Sequence, residues 1–253
     1  MQDAPSSFPF CCCLTKDGDA RFMAHLDFGR LVDRLLRRSG LPVKWTQGFN
    51  PRFKISYQDA LPVAMASEGE WVSFSLIEDL ELTEVQSRLA AVLPDIVRLV
   101  DVRRGTFPPV EGVVTWRARI VDSPGSVLDA LNELMKRDQY PVPDTRHPDQ
   151  TVDARSPLVG GWIEDDSLIL ELRVSAGVPS RPRFVLVALE QLVEKEGHNL
   201  PVFGPITKVL TPARRHGENS WHDAIEVPAE RAGNQSNARY LSMHEKRMNV
   251  ALR

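Results

Sequence analysis

One pattern constrains this chain more than any other: the order strand, helix, strand, strand, helix, strand occurs twice. It shows as apolar spacing that switches between two and about 3.6 residues. In the first copy, residues 8–14 (FPFCCCL) are apolar enough for a buried strand. Residues 25–39 place Phe28, Leu31, Val32, Leu35 and Leu36 on one face, which predicts an amphipathic helix stopped by Gly40 and Pro42. Residues 41–45 predict a short strand. Residues 71–77 alternate Val72, Phe74 and Leu76 against Trp71, Ser73 and Ser75, the mark of a half-buried strand. Thr83-Glu84-Val85-Gln86 reads as a capping box opening a second helix with Val85, Leu89 and Val92 inward, and 96–102 closes the copy. Phe28, Leu31, Leu35, Val72, Phe74 and Leu76 are expected to share one core.

The second copy begins with a strand at 113–121. Ser123-Pro124 opens a helix carrying Val127, Leu128, Leu131, Leu134 and Met135. Residues 139–149 hold three prolines and predict a loop. Strands follow at 151–163 and 168–175. Ser180 starts a helix with Phe184, Val187, Leu189, Leu192 and Val193 inward, Gly197 ends it, and 202–210 is the last strand. The expected class is α+β, with two tandem ferredoxin-like (βαββαβ) units. Each would be a four-stranded antiparallel sheet backed by two helices, over residues 8–106 and 111–212. Residues 213–253 are polar and predict a flexible tail with a helix near 238–251.

Charge singles out the first copy. Between Arg21 and Ser56 stand eight cations (Arg21, Arg30, Arg34, Arg37, Arg38, Lys44, Arg52, Lys54) against two acids (Asp27, Asp33), in a chain of net charge −3. Such a concentration sets up a field that attracts phosphates or acidic partners. Arg30, Arg34, Arg37 and Arg38 lie opposite the buried stripe, and Arg30/Arg34 and Arg34/Arg38 are like-charged i, i+4 pairs that do not help a helix. The run Gln47-Gly48-Phe49-Asn50-Pro51-Arg52-Phe53-Lys54 joins turn formers to aromatics and cations; Gly48 and Asn50 suit positive φ. Aromatics there stack on bases while the cations meet phosphate. The opposing expectation is a structured loop with its aromatics packed inward.

His25 and Asp27 open the first helix. Asp27 suits a helix N-terminus, and His25, two residues away, does not face it. His25 is the candidate general base if the chain is catalytic, and a capping or contact residue otherwise. The binding candidates are therefore Arg21, His25, Asp27, Arg30, Arg34, Arg37, Arg38, Lys44, Gln47, Phe49, Asn50, Arg52 and Lys54.

Other chemistries lack their signatures. Cys11, Cys12 and Cys13 are adjacent, so they point to opposite faces of a strand and lack the spacing of a zinc or iron–sulfur site. The sequence has no P-loop, GxGxxG, HExxH or GxSxG. The aromatic signature of the RNA-recognition motif is also missing. No apolar run approaches the roughly 20 residues that span a bilayer. The N-terminus lacks the basic region of a secretory signal, so the expectation is a cytoplasmic protein without cofactor, metal or membrane association.

At residues 21–27 (RFMAHLD), 36–42 (LRRSGLP), 47–56 (QGFNPRFKIS) and 67–70 (SEGE), the sequence resembles the radical-SAM-linked proteins. These are a bacterial family without a known biochemical function, also found as a domain fused to cobalamin-binding radical SAM proteins. The resemblance is strongest over 21–77 and extends to about 212, with Ser-Arg-Pro at 180–182. It implies a radical SAM protein as partner and assigns no catalytic residue. The chain departs from the pattern in Cys11–Cys13, where a more basic strand is usual, and in Ala24, where a serine is common. Three functions follow as expectations: an accessory module that binds RNA for a radical SAM enzyme, a metal-independent endoribonuclease resembling the CRISPR repeat-processing enzymes, and a protein-only scaffold.

Overall fold

The computed structural model describes residues 7–107, 112–122, 124–144, 147, 149–174 and 181–210, within a compact unit formed by residues 1–213. The first half runs β1 (Phe8–Lys16), a 3-10 turn (Gly18–Phe22), α1 (His25–Arg38), β2 (Ile55–Tyr57), β3 (Ala66–Leu76), α2 (Leu82–Ala90) and β4 (Leu99–Arg104). The second runs β5 (Gly112–Ile120), α3 (Pro124–Met135), β6 (Pro141–Pro143), β7 (Thr151–Asp153), β8 (Leu158–Glu164), β9 (Ser167–Val174), α4 (Pro182–Lys195) and β10 (Phe203–Lys208). The protein is thus α+β, with four helices and a large, mainly antiparallel sheet.

Two separate sheets were expected, and one eight-stranded sheet is found. Its order is β4-β1-β3-β10-β5-β9-β8, with β2 also on β3. The edge of β3 is shared. β2 pairs antiparallel with Val72–Phe74, while β10 pairs parallel with Ala66 and Ser67. Because β2 is only three residues long, it leaves the start of β3 open to β10, and the halves fuse there. Periodicity reports which face a strand buries, not which neighbour takes its edge.

The apolar stripes pack as their spacing dictates. Phe10, Cys12, Leu14, Phe28, Val32, Leu35, Leu36, Val72, Phe74, Leu76, Val85 and Leu89 form one core, whereas Leu31 is only half-buried at its margin. Trp116, Ala118, Val127, Leu131, Leu134, Leu168, Leu170, Leu172, Leu189 and Val193 belong to the other. Cys11, Cys13 and Trp71 point to the opposite face of the first half and are buried there with Val100, Phe107 and Leu210.

Several local expectations change. Residues 41–45 make only isolated bridges, Val43 to Leu76 and Trp45 to Phe53. The N-cap of α2 is Glu81 without a side-chain cap bond, so Thr83 lies inside the helix and forms no capping box. The strand expected at 151–163 is broken at 154–157, where Asp153 accepts the backbone N–H groups of Tyr140 (2.8 Å) and Arg155 (3.0 Å). Its first piece, β7, pairs β6 inside the expected loop. Among non-glycine residues described, only Ala64 and Asp165 have positive φ, so Asn50 does not, while Gly48 (φ 133°) does. Ser123, Ser180 and residues 213–253 lie outside the described residues.

Candidate functional site

The basic segment folds as α1 followed by a narrow hairpin. Lys54 donates its backbone N–H to Lys44 O (3.0 Å), Thr46 to Arg52 O (2.7 Å), and Arg52 to Thr46 Oγ1 (3.0 Å). Trp45 and Phe53 face each other across it, ring centres 4.7 Å apart. The Arg37 guanidinium sits over both rings, 4.7 Å from Phe53 and 5.1 Å from Trp45. Asp33 clamps the same guanidinium through both oxygens, at 2.7 and 3.2 Å. Arg37 is therefore a fastener between α1 and the hairpin, with its charge already matched.

The other cations divide by partner. Arg30 pairs with Asp27 at 2.8 Å, both side chains open to water, a contact of the kind worth little in stability. Arg34 and Arg38 are exposed and form no ion pair among the described residues, and the same holds for Arg52 and Lys54. Strand alternation puts Lys44, Arg52 and Lys54 on the side of the hairpin away from Trp45 and Phe53. Arg21 lies 4.4 Å over the Phe22 ring, and its carbonyl accepts Ala64 N–H at 2.9 Å. At the tip Gln47, Phe49 and Asn50 are exposed, and the Phe49 ring is fully in solvent (105 % exposure). The inward packing expected of this loop thus holds for Phe53, which folds back on α1 with Trp45, and not for Phe49.

His25 is half-buried with its ring edge-on to Tyr57, centres 5.2 Å apart. Among the described residues no carboxylate pairs with it. Tyr57 donates to Gly29 O at 3.4 Å, and burial with the nearby Asp33 charge pushes its hydroxyl up to about 12. Glycine at 29 leaves the phenol room beside the helix: a Cβ there would lie 3.3 Å from its oxygen, a tight contact.

Sequence reasoning missed a second polar cluster where the halves join. β3 begins five residues earlier than its alternation predicts, so Ser67-Glu68-Gly69-Glu70 is strand. Lys208 donates to Glu70 at 2.9 Å, both side chains nearly buried, with Asp59 at 3.8 Å. Arg117 pairs with Glu68, which also accepts the Leu210 N–H at 3.2 Å. Lys16 is buried and directs its ammonium at the carbonyls of Pro62 (3.3 Å) and Leu61 (3.5 Å). Burial lowers its pKa, and the Glu70 charge opposes that. The cue was present in two acids within a strand-like run, balanced by cations far away in sequence. Charges are balanced across the cluster, and among the described residues no group of His, Cys, Asp or Glu has the arrangement of a metal site.

The chain matches, over residues 11–180, a family described as an uncharacterized protein conserved in bacteria (DUF2344), and it belongs to that family. No curated protein matches it. Among solved structures it is similar to an unknown protein from Galdieria sulphuraria at 11% identity, covering 81% of this chain and 100% of that one, with a TM-score of 0.25. It is also similar to the acetolactate synthase small subunit from Thermotoga maritima at 13% identity, 79% and 94% coverage, and a TM-score of 0.24. A putative glycine cleavage system transcriptional repressor follows at 10% identity, 80% and 98% coverage, and a TM-score of 0.20. Likenesses of this size carry neither fold nor function to this chain. No described helix is long and apolar enough to cross a membrane.

Proposed function

We propose that this protein is a non-catalytic, cytoplasmic binding module that holds single-stranded RNA on α1 and the following hairpin, in the service of a radical SAM enzyme. The observation that carries it is the solvent-exposed Phe49 ring at the hairpin tip, on a segment whose exposed Arg34, Arg38, Arg52 and Lys54 form no ion pair among the described residues. An exposed ring offers a base a stacking platform, and cations on the same segment meet phosphates. The radical SAM partner rests on the resemblance at residues 21–77. We read residues 8–106 and 111–212 as tandem ferredoxin-like units, since β4-β1-β3 with β2 on β3 in the first half has the same order as β10-β5-β9-β8 in the second.

The test is titration of a fluorescent single-stranded RNA with the full chain at several salt concentrations. Four cations without partners limit the log–log slope to about −3, at roughly −0.7 per phosphate. Binding that weakens with salt and leaves the RNA intact supports the reading. Absence of RNA binding at low salt overturns it in favour of a protein scaffold. Metal-independent cleavage lost in His25→Ala overturns it in favour of a nuclease.

A further inference from the structure

The two ends of the sheet are treated differently. At one end β4 reads Leu-Val-Asp-Val-Arg-Arg, with Arg103 paired to Asp101 at 2.6 Å and Arg104 to Asp79 at 2.5 Å. Charges of this kind protect an edge strand from pairing with another chain. At the other end β8 reads Leu-Val-Gly-Gly-Trp-Ile-Glu, uncharged until its last residue; its pairing with β9, the only one among the described residues, shifts register between Leu158 and Gly160 and is regular over Gly160–Glu164, the stretch that carries the proposed contact. Val159 and Trp162 are 38 % and 42 % exposed. We propose that β8 is a homodimer edge, pairing antiparallel with β8 of a second copy about a two-fold axis at Gly161 to extend the sheet across both chains.

The strand is self-complementary in that register. Gly160 then faces Trp162 of the copy, and Trp162 faces the copy's Gly160. A Cβ on Gly160 would approach Glu171, and one on Gly161 would meet Leu131 of α3, so residues 160 and 162 share the face away from α3. Each indole thus lies over a glycine with no side chain to displace it, a pairing that shields the glycine backbone from water. On the other face α3 packs closest to this edge, and its Leu128, one turn from Leu131, is 40 % exposed where the copy's helix arrives. The two Glu164 carboxylates stand six positions apart, about 20 Å, so like charges do not meet. A second copy is the occupant because the edge supplies both halves of the fit.

The test is sedimentation equilibrium on the full chain, with Val159→Lys placing a charge on the exposed edge. We expect a dimer in the wild type and self-association weakened about tenfold or more in the variant, with unchanged circular dichroism. The register is tested by mixing Gly160→Cys protein with Trp162→Cys protein under mild oxidation. A covalent dimer forms in the mixture and in neither protein alone, because residue 160 directly faces residue 162 of the copy, whereas 160 with 160 and 162 with 162 stand two positions off register and beyond disulfide reach. A monomer at every concentration, a dimer indifferent to Val159→Lys, or a mixture that yields no covalent dimer overturns the proposal.

Discussion

Arg37 holds its guanidinium 4.7 Å from the centre of the Phe53 ring while both oxygens of Asp33 accept hydrogen bonds from it. Arg37, one of the binding candidates of the sequence, thereby joins α1 to the hairpin. Its removal should loosen the hairpin without unfolding the protein. In Arg37→Gln the amides of Thr46 and Lys54, which donate across the hairpin, should exchange with solvent faster, while the amides of β1 and β3 keep their protection. Uniform exchange in both proteins would show that the turn holds the hairpin by itself.

Gly69 is a glycine for lack of space. A Cβ at this position would lie 2.6 Å from Cys13 Sγ and 2.7 Å from a Leu210 methyl. Gly69→Ala should cost about 1–3 kcal/mol in urea unfolding, as overpacking does. Adding Cys13→Ala should recover part of that loss, since residues in contact are not additive. Additive single-variant costs would place the strain elsewhere.

These two contacts mark where sequence reading succeeds and fails. The stripe Phe28, Val32, Leu35 and Leu36 was legible because a helix repeats its buried face at fixed spacing, and α1 ends within one residue of its expected position. The fusion through β10 was not, because a strand's edge has no spacing of its own. The basic surface was found as a set of residues but not as a geometry. Aspartates three and four residues away pair with Arg30 and Arg37, and an i, i+4 ion pair reads the same in sequence whether or not an aromatic pair lies beneath it. Glu68 and Glu70 escaped because their partners Arg117 and Lys208 lie 49 and 138 residues away.

The buried Lys208–Glu70 pair should be expensive to break on one side only. Glu70→Gln leaves an ammonium nearly enclosed, with Asp59 at 3.8 Å as its remaining acid. Loss of one partner of such a pair costs about 3–5 kcal/mol. Chemical denaturation of Glu70→Gln and of the double variant with Lys208→Met measures it, and the double variant should be the more stable of the two. Equal stabilities would mean water already reaches the ammonium.

Alkaline conditions should destabilise the fold from about pH 9 upward. Burial pushes the Cys11 thiol up to about 11, Cys12 and the Tyr57 hydroxyl to about 12, and Cys13 higher still. Above about pH 9 the unfolded chain releases thiol protons that the folded chain retains, so stability falls as pH rises. The enclosed Cys12 contributes up to about 1.4 kcal/mol per pH unit. Lys16 works in the opposite sense: its lowered pKa lets the folded state lose a proton first, which favours folding as pH rises toward 10.5. Thermal unfolding from pH 7 to 10.5 should therefore show a net decline, shallower in Cys12→Ala and steeper in Lys16→Met. A flat profile would mean that the thiols titrate alike in both states.

Phe49 and Arg34 make different contributions to the proposed RNA surface and can be separated. A base stacked on an aromatic is worth about 1–3 kcal/mol and involves no counterion. Phe49→Ala should therefore weaken RNA binding by that amount at every salt concentration and leave the log–log slope unchanged. Arg34→Gln with Arg38→Gln should flatten the slope by about 1.4, two phosphates at roughly 0.7 each. Arg37→Gln, whose charge Asp33 already matches, should change the slope least of the α1 arginines. Fluorescence titration of the three variants against the same RNA reads all of this. A Phe49→Ala protein that binds as tightly as the wild type would remove the ring from the interface, and with it the observation on which the RNA reading stands.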